Sequence, residues 1–397
     1  MAPRLSRLLF LLLAPGVAAC AQSPSASGTA STAQATSPAS AEAPRPMRVT
    51  EVAGGFEHPW SVALLPDGGF LVTERPGRLR HVSAAGDVSP PIPGVPDVFA
   101  QGQGGLLDVA LAPDFATSRR IYLTYAEPGA DGTAGTAAGF GVLAGDGDAL
   151  RLEGFTRIYQ QQPKVRAGVH FGSRLAFDGD GHVFISQGDR SRMTAAQALE
   201  GLIGKLVRLE QEGQVPADNP FVDHDDARPE TWSYGHRNIQ GMAVDPRTGT
   251  LWTSEHGPRG GDEVNLPVAG GNFGWPLATH GMDYRSGEPY AETIGQQAPG
   301  TIAPHHVWPV SPGLSGMAFL VGHPGSPWND SLFLGALAQE NLIRLSLDGD
   351  RIVGEERLLA DRGARIRDVR VGPDGAVYVL TDHEDGTLLR LDAPTTD

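Results

Sequence analysis

Residues 232–265 read WSYGHRNIQGMAVDPRTGTLWTSEHGPRGGDEVN. Residues 241–244 and 250–254 are short runs of apolar, β-branched or aromatic side chains. Asp245-Pro246-Arg247-Thr248-Gly249 between them is turn chemistry, so the stretch predicts a β-hairpin. In an antiparallel hairpin the start of one strand lies beside the end of the other. Those ends are residues 235–240 and 255–263, two polar, Gly-rich loops meeting at one end of one hairpin. One such hairpin, taken alone, is read more plainly as a pair of solvated turns. Its recurrence changes that reading.

The same strand, Pro-Asp-Gly-type turn and strand return at residues 60–74 (WSVALLPDGGFLVTE), 107–125 (LDVALAPDFATSRRIYLTY) and 173–186 (SRLAFDGDGHVFIS). They return again at 315–335 (SGMAFLVGHPGSPWNDSLFLG) and 367–381 (RDVRVGPDGAVYVLT). Further β signal follows each copy, so the repeat predicts an all-β, six-bladed β-propeller over residues 47–397. A β-sandwich leaves the repeated turn unexplained. Uneven spacing implies large insertions, and the Gly- and Ala-rich residues 129–147 are expected to be a mobile one.

Composition agrees. With 52 Gly and 32 Pro the chain favours turns and short strands, and a formal charge of −15 argues against a nucleic-acid partner. The one Cys excludes an intrachain disulfide framework. Arg4 and Arg7, an apolar run at 8–13, and Val17-Ala18-Ala19-Cys20 resemble a lipoprotein signal peptide over residues 1–19, with Cys20 the acylated residue. Residues 20–46 are Ala, Ser, Pro and Thr-rich. They are expected to be a disordered tether, reaching on the order of 30 Å. The expected location is therefore exported and lipid-anchored, on the periplasmic face of the outer membrane in a Gram-negative cell, with no other membrane contact.

Residues before each first strand and after each second strand lie opposite the Pro-Asp-Gly turns and should ring one mouth. That rule gathers Gln103, His170, Asp189, Arg190, Arg237, Asn238, Gln240, Gly257, Pro258, Trp308, Arg365 and Arg367. Arg237, Arg365 and Arg367 suit a carboxylate-bearing ligand. The carbonyls of Gly257 and Pro258, with the carboxylates of Asp262 and Glu263, are hard oxygen ligands suited to calcium. His170 is the natural general base.

The segments at 103–107 (QGGLL), 170–175 (HFGSRL), 235–241 (GHRNIQG), 255–258 (EHGP), 262–265 (DEVN), 270–276 (GGNFGWP) and 365–368 (RIRD) resemble a known family. It is that of the soluble pyrroloquinoline-quinone-dependent glucose/sorbosone dehydrogenases, in its aldose sugar dehydrogenase branch. The resemblance implies a sugar dehydrogenase that oxidises an aldose at the anomeric carbon to the lactone, by hydride transfer to pyrroloquinoline quinone. Electrons would then pass to an external acceptor such as a quinone or cytochrome. It implies His170 and Arg237 as catalytic residues, and Gln103, Arg237, Asn238, Gln240, Trp308, Arg365 and Arg367 around the cofactor. Carbonyls of Gly257 and Pro258 would hold one Ca2+, and Glu263 with the Phe273 carbonyl a second.

Two departures stand out. Ala338 replaces a cofactor-pairing Lys of many relatives, with Arg344 the nearest substitute in sequence. Val169 replaces the Asp of glucose-specialised members, which argues for a broader or different substrate. The rival readings are a calcium-dependent, lactonase-like propeller hydrolase, which needs no Arg cluster, and a non-catalytic binding propeller.

Overall fold

A computed structural model describes residues 46–395. The signal peptide, Cys20 and nearly all of the tether lie outside the described residues. Six antiparallel sheets follow one another along the chain, and together they make a six-bladed β-propeller. The first blade has three strands, Pro59–Leu64, Phe70–Glu74 and Arg78–Val82. Each of the others has four. The sixth takes its outermost strand, Arg48–Phe56, from the start of the domain, pairing it with Gly386–Asp392. The ring is therefore closed by hydrogen bonds between the two ends of the domain.

The opening hairpin forms as Ile239–Val244 and Leu251–Glu255, the two inner strands of the fourth blade. Its turn residue Asp245 is buried and accepts from the amide and the guanidinium of Arg247. Where the first strand of a blade meets the second, one side-chain face packs on each neighbouring blade. Val62, Val109, Ile239, Met317 and Val369 are buried there, which is why these strands read as almost continuous apolar runs.

Residues 129–147 are a correction. They are not a mobile insertion, for Ala134–Ala144 is a full strand of the second blade, paired with Arg120–Pro128 and Arg151–Gln160. Ala and Gly carry little β propensity, so the sequence signal was faint. The neighbouring strands require small residues here: a Cβ on Gly139 would come within 2.4 Å of the Thr156 carbonyl oxygen.

Five of the six first strands share an irregularity at the mouth end. The register jumps between Pro59 and Ser61, Leu106 and Val109, Ile239 and Gly241, Leu314 and Met317, and Ile366 and Asp368. Each jump is a bulge that sets one unpaired residue toward the axis. Trp60, Gln240 and Arg367 are the extra residues of their blades, and Leu107 belongs to the bulge of the second.

Beneath this level a buried ionic hub joins the blades. The Arg174 guanidinium lies 3.0 Å from both Asp108 and Asp368, and Arg370 lies 3.1 Å from each. Ser61 donates to Asp108 at 2.6 Å, and Arg174 donates to the Gln240 carbonyl. A buried pair of this kind is costly to break from one side, so it fixes the relative seating of the blades it joins.

Candidate active site

The mouth holds a cavity of about 330 Å³, within the usual range for a cofactor or small ligand. Its floor comes from the bulges, with Trp60, Leu107, Gln240 and Arg367 all lining it. Loops at the mouth ends of the strands add Gln103, Asn238, Gly257 and Arg365, as the repeat rule expected, and Ala338. The same rule, applied to the ends of the second strands of the first and sixth blades, finds two residues the sequence reading passed over. They are Arg75, directly after Glu74, and Asp382, directly after Thr381.

One hydrogen-bonded chain runs across this floor. Asn238 Oδ1 accepts from the Gly172 amide at 3.1 Å and from Gln240 Nε2 at 3.3 Å. Gln240 Oε1 accepts from Arg367, which also donates to Asp382 at 2.6 Å. Arg365 reaches the same carboxylate at 3.3 Å and donates to the Leu337 carbonyl. Burial opposes ionisation of Asp382, yet Arg367, with Arg75 and Arg365, holds its pKa down to about 2. Two guanidiniums thus pair with this carboxylate, and the charge of a third adds to theirs. The other acid lining the cavity, Asp262, accepts from the backbone amides of Gly257, Gly313 and Leu314.

His170 does not itself line the cavity but directly precedes Phe171 and Gly172, which do, and it has a strained, left-handed backbone conformation, φ +53°. Its amide donates to Gln103 Oε1 at 2.8 Å. Arg190, fully buried, donates to the carbonyls of Val169, Ala134 and Ala167 and stacks on Phe171, so it clamps this loop from behind and does not line the mouth. His170 Nδ1 lies 2.6 Å from Asp189 Oδ1, and Trp275 Nε1 donates to the other carboxylate oxygen at 2.7 Å. Burial works against the Asp189 charge, but the His170 hydrogen bond and the charges of His170 and Arg237 outweigh it and lower the carboxyl pKa. An ionised Asp189 makes Nδ1 the protonated nitrogen and leaves Nε2 to accept a proton. The sequence reading carried Asp189 into the mouth without a role. Its partnership with His170 depends on the unusual φ, which residue types do not announce.

Arg237, expected in the mouth beside the cofactor, does not line the larger cavity, which is a correction. Its guanidinium carbon is 5.4 Å from the Trp275 ring centroid, and it donates to the His256 carbonyl. It lines a second, much smaller cavity of about 10 Å³, enough for one ion or water. Glu255, Gly257, Glu263 and Phe273 line it too. Asn265 Nδ2 donates to both Glu255 Oε1 and Glu263 Oε2. Burial, and after it the neighbouring Glu255 charge, push the Glu263 carboxyl well above its usual value. Two crowded buried carboxylates beside a hole of ionic size suit a hard divalent cation. Gly257 belongs to both cavities, and only glycine fits there, since a Cβ would meet the Gly261 carbonyl oxygen at 2.2 Å.

Two further expectations are corrected. Trp308 does not line the cleft. It is buried on the outermost strand of the fourth blade, His306–Trp308, opposite Asp262, with Nε1 donating to Glu355 of the fifth blade at 2.9 Å. The chain between it and the next blade, at Ser311 and Gly313, reaches the cavity instead. Pro258 lines neither cavity, and its carbonyl accepts from the Tyr284 hydroxyl at 3.0 Å. Arg344 lies inside a strand of the fifth blade, as its sequence context suggested, and pairs with Glu356.

Comparison with known proteins finds a family profile, glucose/sorbosone dehydrogenase, matching residues 56–390. The chain is 51% identical over 350 residues to the aldose sugar dehydrogenase YliI of Escherichia coli K12, covering 88% of this chain and 94% of that one. A crystal structure of a glucose dehydrogenase superposes with a TM-score of 0.85 at 58% identity, covering 87% and 99%. A PQQ-bound aldose sugar dehydrogenase from Streptomyces coelicolor does so at 0.71 and 26% identity, covering 88% and 99%.

Proposed function

The chain belongs to the glucose/sorbosone dehydrogenase family, and from that premise we propose that it is a pyrroloquinoline-quinone-dependent enzyme oxidising aldoses at the anomeric carbon to lactones. At the coarser level it is an oxidoreductase acting on sugars. The observation that carries the finer reading is the His170–Asp189 pair set beside a cavity lined by three arginines, two of them paired with one carboxylate.

The residues present fit both absent groups. Buried guanidinium nitrogens of Arg75 and Arg367 lack partners at the cavity, which suits a polycarboxylate, and the Glu255–Glu263 cavity suits calcium. When bound, the quinone supplies a two-electron acceptor that no side chain provides, with calcium as a Lewis acid beside it. Gln103, Asn238, Gln240, Arg365 and Arg367 would hold it, with the Gly257 carbonyl at the metal that touches it. Glu263 and the Phe273 carbonyl would hold the structural ion.

The chain's own chemistry is proton handling. His170 Nε2 takes the proton of the anomeric hydroxyl as C1 is oxidised. Asp189 fixes the ring's tautomer and stabilises the imidazolium that forms. Arg237 adds positive charge where negative charge develops. Val169 beside the base, in place of an acid, favours a range of aldoses over glucose alone.

The test is reconstitution. Purified apo protein is given pyrroloquinoline quinone and Ca2+, then aldoses and an artificial electron acceptor. Acceptor reduction with lactone formation is expected, and no turnover with any aldose would overturn the reading. We also propose, on residues 1–46 alone, export and anchoring through an acylated Cys20. Cys20→Ser should release the protein from membranes, and an unacylated mature N-terminus by mass spectrometry would refute the anchor.

A further inference from the structure

Arg75 lines the cavity with a buried guanidinium nitrogen that the fold leaves unused. It follows the strand Phe70–Glu74 at the mouth end of the first blade, and its backbone is held on both sides. The Arg75 amide donates to the His58 carbonyl at 3.1 Å, and its carbonyl accepts from Leu106 at 3.2 Å. Gly105 packs against that carbonyl so closely, at φ +142°, that a Cβ there would stand 2.1 Å from the oxygen. The side chain then leaves in a defined direction. Nη1 donates to the Gly102 carbonyl at 2.7 Å, in the loop that carries Gln103. Nε is buried and has no partner.

A buried guanidinium N–H without an acceptor is a cost that native structures seldom carry without a reason. Its charge is also poorly met. Among the described residues no carboxylate pairs directly with it. Asp382 attracts it from within the cavity but already pairs with Arg365 and Arg367, which repel it. Burial comes first among the influences that lower its pKa, so the site holds this cation at some expense. Across the same cavity Ala338 lines the wall with a methyl group, and Arg344, its neighbour in sequence, is engaged elsewhere.

We propose that Arg75 is a ligand-binding residue of the mouth, donating through its free guanidinium edge to a carboxylate of the bound cofactor. It adds positive charge to a cavity in which position 338 carries none. The inference rests on the proposed function, since the carboxylate is that of pyrroloquinoline quinone. It assigns to Arg75 a double task. Nη1 braces the Gln103 loop, and the remaining N–H groups face the anion. Arginine suits both at once because its donors lie in a rigid planar fork, which lysine lacks.

The experiment is a calorimetric titration of the full mature chain, with calcium present, by pyrroloquinoline quinone at two salt concentrations. Wild type, Arg75→Met and Arg75→Lys are compared, with thermal melts taken before cofactor is added. Arg75→Met should bind about ten- to a hundredfold more weakly, the scale of one lost charge-assisted contact. Its affinity should also depend less on salt, while Arg75→Lys recovers part of both. Equal affinity of wild type and Arg75→Met would overturn the inference and leave the proposed function standing. So would a weakened affinity with unchanged salt dependence and a lowered melt, which marks a brace alone. Wild type that takes up no cofactor would overturn the proposed function itself, and the inference with it.

Discussion

Two cavities share the loop at residues 255–263 and have opposite electrical character. The larger is lined by Arg75, Arg365 and Arg367, and Asp382 pairs with the last two. The smaller is pinched between Glu255 and Glu263, with Arg237 on its wall. Each is unbalanced by itself, the first toward an anion and the second toward a cation. Gly257 and His256 line both. Burial pulls the His256 pKa down to about 4, so the imidazole between the cavities stays neutral near pH 7 and adds no charge to either. Local charge, more than the acidic total of the chain, tells what each hole accepts.

The contrast predicts that chemistry, cation binding and anion binding come apart under mutation. The largest effect should come from a residue that belongs to neither cavity. His170→Ala is expected to cut turnover a hundredfold or more, the usual scale for a lost general base. Calorimetric affinity for the cofactor and the calcium-dependent melting shift should stay near wild type. An active His170→Ala enzyme with an unchanged pH profile would move the base elsewhere.

Next comes the acidic cavity. Calcium at a hundred times its Kd should stabilise the protein by about 2.7 kcal/mol, and a chelator should remove that gain. Glu263→Gln, which relieves the crowding of two carboxyl groups, should lose most of the calcium-dependent melting shift. A variant that still responds fully to calcium would mean the ion sits elsewhere.

The arginine cavity has its own signature in pH. Asp382 carries a folded pKa of about 2 against an ordinary 3.8. A depressed carboxyl contributes stability that is complete above its unfolded pKa and is lost as pH falls toward the folded one. Here that is about 2 kcal/mol, lost between pH 4 and 2. Asp382→Asn should flatten the stability–pH curve in that window, and a curve of unchanged slope would put the acid sensitivity elsewhere. The smallest effect is expected at the opposite wall. Ala338→Lys should tighten the cofactor by about tenfold with the order of preferred sugars unchanged, because Arg75 already supplies charge there. Identical titrations would mean that position 338 does not face the carboxylates.

The repeat made most of this legible. Strand, turn and strand, read six times, place Gln240, Asn238, Arg365 and Arg367 in one mouth from spacing alone, and they line the cavity together. Arg75 and Asp382 obey the same rule. They went unread because no Gly-rich loop draws attention to them. Trp308 followed the rule in letter only. It precedes the fifth blade in sequence, yet its own short strand completes the fourth. The strand Ala134–Ala144 was hidden by composition, since residues chosen for thinness carry no propensity for what they form. The His170–Asp189 contact depends on a backbone angle, and no residue type declares it.

The bulges at the mouth have a consequence for how such a molecule can change. Trp60, Gln240 and Arg367 are surplus to the ladders they interrupt, and the residues on either side keep their partners across the sheet. A side chain exchanged at these positions alters what touches the ligand without disturbing a single ladder hydrogen bond. Framework and recognition are therefore inherited separately. The lining of the cavity can be edited at these few positions while every blade stays where it was.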